Sequence, residues 1–309
     1  LMAFTAADVK ALREKTGVGM MDCKKALTEA DGDMDRAIDV LREKGLAASA
    51  KKAGRIAAEG IVLAYTDEAK KVSVLVEVNS ETDFVAKNEK FVNYVTAVAK
   101  TIADTNPADV DELLAKPLAG DTRTVQENLQ DMVLSIGENM KIRRFERVEG
   151  ITTSYIHGGG SVGVLVMFDT DDKTAATDAF KVMGKDVAMQ IAAMSPAYLD
   201  EASVPADVLA HEKEITKAQL AEDPKMAGKP EQVLAKIVDG KIVKYFKENC
   251  LLDQAFVKDG DMNVAKYVAS VAKELGADIK VTGFIRYAKG EGLEKREDDF
   301  AAEVASMMK

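Results

Sequence analysis

Residues 58–78 read AEGIVLAYTDEAKKVSVLVEV, and residues 148–168 read VEGITTSYIHGGGSVGVLVMF. At a fixed offset of 90, without a gap, 8 of the 21 positions are identical: Glu59/Glu149, Gly60/Gly150, Ile61/Ile151, Tyr65/Tyr155, Val72/Val162, Val74/Val164, Leu75/Leu165 and Val76/Val166. That density of matches marks a duplicated unit. Residues common to both copies are those the architecture demands, so function is to be sought where the copies part.

Each copy has the same grammar. A short strand follows Glu-Gly-Ile, a turn-rich stretch comes next (67–71 and 157–161), and a run of β-branched and aliphatic residues makes a second strand. A helix follows, over 88–103 in the first copy and 175–193 in the second. A one-residue slip aligns Phe91/Phe180, Ala99/Ala188, Ile102/Ile191 and Ala103/Ala192, which suit helix–sheet packing points. Two hairpin-plus-helix units predict an α+β protein with two similar subdomains built on small antiparallel sheets.

Upstream, residues 5–45 read as three short helices. Thr5 is placed to cap the first, with Asp8 in its first turn and Val9 and Leu12 on its apolar face. Thr16-Gly17-Val18-Gly19 breaks it, a second helix covers 21–30, and Asp33 caps a third that ends at Gly45. None is long enough to be stable alone, so the three pack as a bundle, with a linker over 46–57. Between the copies lie a helix over 125–139 and the basic cluster Lys141-Ile142-Arg143-Arg144. Beyond the second copy, residues 203–248 read as two helices. The stripe Val208, His211, Ile215 and Ala218 is answered by Val233, Leu234, Ile237, Val238 and Ile242. A stripe this narrow predicts a coiled coil projecting from the body. The second subdomain resumes near Leu251 with a strand over 279–287, and Phe300, Val304 and Met307 give the tail a short amphipathic helix.

The bulk numbers exclude some classes. A net charge of −10 argues against a general nucleic-acid binder, which needs clustered Lys and Arg. Cys23 and Cys250, the only cysteines, are far apart and outside metal-ligand spacing, which fits a reducing compartment. No apolar run approaches a membrane span, and the start, LMAFTAADVK, lacks a signal-peptide pattern, so the expected location is the cytoplasm.

One string imitates a hydrolase. His157-Gly158-Gly159-Gly160-Ser161-Val162-Gly163 contains both an oxyanion-hole-like HGGG and a Gly-x-Ser-x-Gly. In hydrolases these are separate loops, and the nucleophile follows a strand and precedes a helix. Here they overlap and the strand follows the serine, so the string is expected to be a hairpin turn. Gly184-Lys185-Asp186 lacks the rest of a phosphate-binding loop. His211 lies beside a helical stripe, which suits packing, and the pairs Asp171-Asp172 and Asp298-Asp299 sit in polar stretches that suit solvation.

The copies part after their second strands. The first continues Asn79-Ser80-Glu81-Thr82-Asp83-Phe84-Val85-Ala86, the second Asp169-Thr170-Asp171-Asp172-Lys173-Thr174-Ala175-Ala176. Both are helix entrances in which Ser80 or Thr170 can cap, and capping accounts for Thr82-Asp83. It does not account for Phe84, which stands at the offset of Thr174. Either it anchors in a partner's pocket or it packs onto neighbouring helices.

Thr16-Gly17-Val18-Gly19-Met20-Met21-Asp22-Cys23-Lys24-Lys25-Ala26-Leu27 and Thr82-Asp83-Phe84-Val85-Ala86-Lys87 resemble the two signature segments of the bacterial elongation factor Ts family. The similarity extends through Ile136-Gly137-Glu138-Asn139 and the arginine pair after it, Val281-Thr282-Gly283-Phe284-Ile285-Arg286, and Asp299-Phe300-Ala301-Ala302-Glu303-Val304. The resemblance implies a ubiquitin-associated-like three-helix domain with its linker over 1–56 and core subdomains over 57–147 and 148–289. It also implies a coiled coil inserted at about 203–248 and a C-terminal helical module over 290–309. It further implies a guanine-nucleotide exchange factor, not an enzyme, whose partner is the GTPase elongation factor Tu, with no cofactor and no metal of its own. Thr82, Asp83, Phe84 and Val85 would intrude beside the partner's nucleotide site and help dislodge Mg²⁺. Arg13, Met20 and Met21, and the module around Phe300, would contact the GTPase domain, and the second subdomain would meet the partner near His157. No stable nucleic acid or membrane is involved; whether the coiled coil pairs two copies of the complex stays open.

Overall fold

Thr5 opens the first helix, Ala6–Thr16 (α1), by a reciprocal cap in which its N–H donates to Asp8 Oδ2 at 2.7 Å and its hydroxyl accepts from the Asp8 N–H at 3.4 Å. Met20–Glu29 (α2) and Met34–Lys52 (α3) follow, the latter capped by Asp33, whose carboxylate accepts from Arg36 N at 2.9 Å. Leu12, Cys23, Ala26, Leu27, Ala37 and Leu41 form their shared core. The computed structural model describes residues 4–16, 18–226 and 228–294. α3 does not end at Gly45 as the sequence suggests. It runs on because the glycine packs against another helix: a Cβ there would lie 3.6 Å from the Gln130 carbonyl oxygen. Helix packing of this kind offsets the roughly 1 kcal/mol that an interior glycine costs.

Glu59–Asp67 (β1) and Val72–Ser80 (β2) pair antiparallel, with Cα partners from Glu59↔Ser80 to Asp67↔Val72. After the hairpin come Asp83–Ala86 (α4), Glu89–Thr105 (α5), Val110–Leu114 (α6) and Val125–Ile136 (α7). α5 lays Phe91, Val95, Val98, Ala99 and Ile102 against the hairpin, and α7 starts at a Thr124–Glu127 capping box and ends at Gly137. The third strand, Met140–Glu149 (β3), completes a sheet of order β1-β2-β3. It is the basic cluster. Met140 and Ile142 are buried, but Lys141, Arg143 and Arg144 hide the alternation that would have announced a strand.

Flanked on both sides, β2 is buried throughout, including its one charged residue, Glu77. The Glu77 carboxylate accepts from Arg143 Nη1 at 3.1 Å, Arg144 Nε at 2.7 Å, Asn79 Nδ2 at 3.0 Å and the Gly290 N–H at 2.8 Å. Burial pushes this carboxyl up, but the Gly290, Asn79 and Arg144 hydrogen bonds and the Arg144 charge together hold it below its ordinary value. Arg144 also lies 4.1 Å over the Tyr287 ring.

The chain divides into two compact units. Among the described residues, the first holds those up to Val148, the Ile156–Gly163 segment and Tyr287–Glu294; the second holds those of Glu149–Tyr155 and Val164–Arg286. The repeat continues with Ile151–His157 (β4), Val162–Asp169 (β5), Asp172–Ala175 (α8) and Asp178–Met194 (α9). In α9, Phe180, Ala188 and Ile191 are buried like Phe91, Ala99 and Ile102 in α5, as the slip predicts. Phe180 meets Phe168 edge-on at 5.0 Å.

Ala206–Glu222 (α10) and Glu231–Asn249 (α11) pack on each other through Leu209, Leu220, Val238 and Ile242. The α10 half of the expected stripe is displaced. His211, Ile215 and Ala218 are exposed, and Thr216 is buried with Leu220, because a threonine in the seam reads as polar. Ala255–Phe256 (β6), Asp259–Asn263 (β7) and Val264–Leu275 (α12) lead to Lys280–Ala288 (β8), giving a second sheet of order β4-β5-β8. Buried Asp186 accepts from Lys258 Nζ at 2.6 Å and Tyr267 OH at 2.9 Å, fastening this segment to α9. The duplicated unit is thus longer than a hairpin and a helix. Each copy closes with a second helix, a left-handed glycine (Gly137, Gly276) and a third strand.

Candidate functional site

The short helix α4 sits where β2 turns into α5, and it shows what the copies do differently. α4 and α8 correspond with the one-residue slip already in force, so Phe84 stands opposite Lys173, and Val85 opposite Thr174. The plain 90-residue offset, which pairs Phe84 with Thr174, is therefore corrected. Val85 and Thr174 are both buried, whereas Phe84 is 79% exposed. Of the two readings left open for Phe84, packing onto neighbouring helices is excluded.

The capping also differs from expectation. Neither Ser80 nor Thr170 is an N-cap; the caps are Thr82 and Asp171. Asp171 caps in the ordinary way, accepting from Thr174 N at 2.8 Å and Thr174 Oγ1 at 2.9 Å. Thr82 does not accept from its own helix. Its N–H and hydroxyl donate to Glu138 Oε2 and Oε1 at 3.0 and 2.6 Å, and its carbonyl accepts from Ser80 Oγ at 2.9 Å. Asp83 is exposed and bonded by Lys87 Nζ at 2.8 Å, and that bond, aided by the Lys87 and Lys289 charges, holds its carboxyl below the usual range. Lys87 Nζ stands 6.0 Å from the Phe84 ring centroid. The turn thus presents a carboxylate and an aromatic side by side, while Val85 faces the core and is no surface contact.

Arg13 is exposed on α1, beside a depression it lines with Lys10, Lys15, Thr16 and Lys90. Met20 and Met21 open α2 and are 41% and 65% exposed, unusual for methionines in a helix whose other apolar residues are buried. Phe300 lies outside the described residues. His157 ends β4 and heads the turn of the hydrolase-like string; its carbonyl accepts from Gly160 N at 3.2 Å and Ser161 N at 3.0 Å. The three glycines have φ of 56, 64 and 100°, so the string is a hairpin turn, as expected. Ser161 Oγ donates to the Gly158 carbonyl at 2.8 Å, bonding its own turn. Ser161→Ala is therefore expected to cost under ~0.5 kcal/mol of stability in chemical denaturation; a loss of several kcal/mol would contradict the turn reading.

Sequence reasoning missed the supports of the turn. Glu138 was visible only inside a string picked out by resemblance; the signal available was an acid directly after a helix-ending glycine. Asn139 N donates to Glu81 Oε1 at 2.6 Å, and Asn139 Nδ2 to the Arg55 carbonyl at 2.9 Å. Among the described residues, no three His, Cys, Asp or Glu gather as a metal site requires, and no helix is long and apolar enough to cross a membrane.

The family model described as Elongation factor TS matches residues 81–291, which begins at the turn and includes Glu138. A Clostridium perfringens strain 13 protein named Elongation factor Ts is 53% identical over 306 residues, covering 98% of each chain. Proteins of the same name from Clostridium kluyveri strain NBRC 12016 and Clostridium botulinum strain Langeland are 52% and 49% identical, covering 97% and 98% of each chain. A match of this length and identity means that the protein belongs to the elongation factor Ts family.

Proposed function

We propose that the chain is a guanine-nucleotide exchange factor for elongation factor Tu, acting in the cytoplasm, and that Asp83 and Phe84 form the element that loosens the partner's Mg²⁺. One observation carries the reading: a large aromatic, 79% exposed, stands on a fixed corner where the second copy has Lys173. The fold does not need an aromatic there, and an exposed aromatic on a rigid turn is the form a partner anchor takes.

The physics is negative linkage. Factor and GDP–Mg²⁺ each bind the GTPase well alone and poorly together, so each weakens the other by the same ratio. Mg²⁺ bridges phosphate oxygens and neutralises their charge in such sites, so disturbing its surroundings speeds nucleotide release. Phe84 wedges between partner elements, and the ionised Asp83 carboxylate perturbs polar groups near the ion. No group here acts as acid, base or nucleophile, so the chain is not an enzyme and requires no cofactor. Arg13, Met20 and Met21 add docking surface, and His157 and Phe300 are further contacts. The N-terminal helices serve as a ubiquitin-associated-like module, and α10 with α11 as a coiled coil.

The test is release of labelled GDP from elongation factor Tu. Phe84→Ala is expected to slow catalysed release about thirtyfold, the effect of losing one anchoring residue, and Asp83→Ala several-fold, at unchanged thermal stability. Folded variants that release GDP as fast as wild type would sink the reading.

A further inference from the structure

Phe84 serves as an anchor only if its turn holds one conformation, because any loop ordered during binding subtracts from the affinity gained. Every polar backbone and side-chain group of Thr82 is held. Its N–H and hydroxyl take one Glu138 oxygen each, and its carbonyl takes the Ser80 hydroxyl. Hydrogen bonds to a carboxylate are among the stronger ones, and two parallel ones fix direction as well as distance. The Glu138 segment is itself fastened, by Asn139 to Glu81 and to the Arg55 carbonyl. On the other side, Val85 is sunk in the core, so Asp83 and Phe84 stand between two fixed points.

The second copy shows that the fold does not need this arrangement. There Asp171 caps its own helix, and after the left-handed Gly276 comes Ala277 where the first copy, after Gly137, has Glu138. A stable corner is made without an acid from a distant loop. The clamp occurs only in the copy that exposes an aromatic.

We propose that Glu138 is a positioning residue for exchange: it fixes the backbone at Thr82 so that Asp83 and Phe84 enter the partner preformed. The inference rests on the exchange reading. Glu138 touches neither nucleotide nor metal and acts through Thr82.

The experiment measures catalysed release of labelled GDP from elongation factor Tu over a range of factor concentrations. Wild type is compared with E138A, E138Q, F84A and E138A/F84A, and thermal midpoints are recorded. E138A is expected to lower the maximal release rate about tenfold, with the half-saturating concentration moving less than about threefold. E138Q is expected to recover most of the rate, since its amide oxygen can accept from the Thr82 N–H while its NH₂ donates to the Thr82 hydroxyl. In the F84A background, E138A is expected to change the rate by under about twofold, because the two act as one unit. T82V, which removes only the hydroxyl bond, is a milder variant for the case in which E138A folds poorly, and its smaller loss should likewise vanish with F84A. The positioning role is overturned by a wild-type maximal rate in E138A, by E138Q as slow as E138A, or by a loss that persists undiminished on top of F84A. A wild-type rate in F84A itself would instead overturn the exchange reading.

Discussion

Glu77→Ala is expected to lower the free energy of unfolding by about 3–5 kcal/mol, because removing one partner of a buried ionic cluster leaves the others uncompensated. Arg143 would lose its carboxylate, Arg144 the nearer of its two (Glu291 Oε2 stays at 3.4 Å), and the Gly290 N–H its acceptor. The low end of the range is the sounder expectation, since both arginine side chains keep some water. Glu77→Met, which copies the residue at the 90-residue offset, Met167, refills the volume and should recover only the packing part of the loss. The dependence on pH has a definite sign. The folded carboxyl titrates below its ordinary 4.5, so the ionised form favours the fold. Its contribution is complete above ~4.5 and disappears as pH falls through the lower folded value. Urea unfolding of wild type and Glu77→Gln should therefore differ most near neutral pH and converge as the pH falls below the carboxyl's ordinary 4.5. A gap that stays constant over that range would show that charge is not the cause.

Gly60→Ala is expected to cost about 3 kcal/mol or more, and Gly150→Ala only about 1 kcal/mol. Both glycines of the repeated Glu-Gly-Ile have positive φ, 109 and 103°, which explains why the duplication kept them. Their surroundings differ. A Cβ at Gly60 would lie 2.1 Å from the Val78 carbonyl oxygen, across the β1–β2 ladder, whereas Gly150 has open space. The first substitution therefore meets backbone strain plus a clash that only a shift of β2 relieves, and the second meets strain alone. Chemical denaturation of the two variants side by side tests this; equal losses would mean that strain, not the clash, dominates.

What the sequence disclosed follows from which signals local chemistry leaves in plain view. Caps at Thr5 and Asp33, the hairpins and the buried faces of α5 and α9 were legible because each rests on residues within a turn or two of one another. β3 was not, because its arginines serve Glu77, a partner 66 and 67 positions away. Gly45 read as a stop because nothing nearby in sequence announces Gln130. At the site, the oddity of Phe84 was legible from the duplication, but its clamp was not. Glu138 reaches Thr82 over 56 residues, and only folding puts them together. The exact pairing of the copies also needed the structure, since a one-residue slip before α4 leaves no mark in composition.

The bond from Gly290 to Glu77 has a consequence for the order in which the chain is made. The two residues are 213 positions apart, yet both belong to the first unit. At the usual pace of synthesis, about 5–20 residues per second, roughly 10–40 s separate the emergence of β2 from that of the amide that completes its carboxylate's shell. The Gly160 carbonyl, which accepts from Val62 N at 2.8 Å, arrives between them. Once Arg143 and Arg144 have emerged, the nascent first unit holds its arginines and its acid but lacks its last donor, so its final locking awaits Gly290 and is not finished by its own first 148 residues.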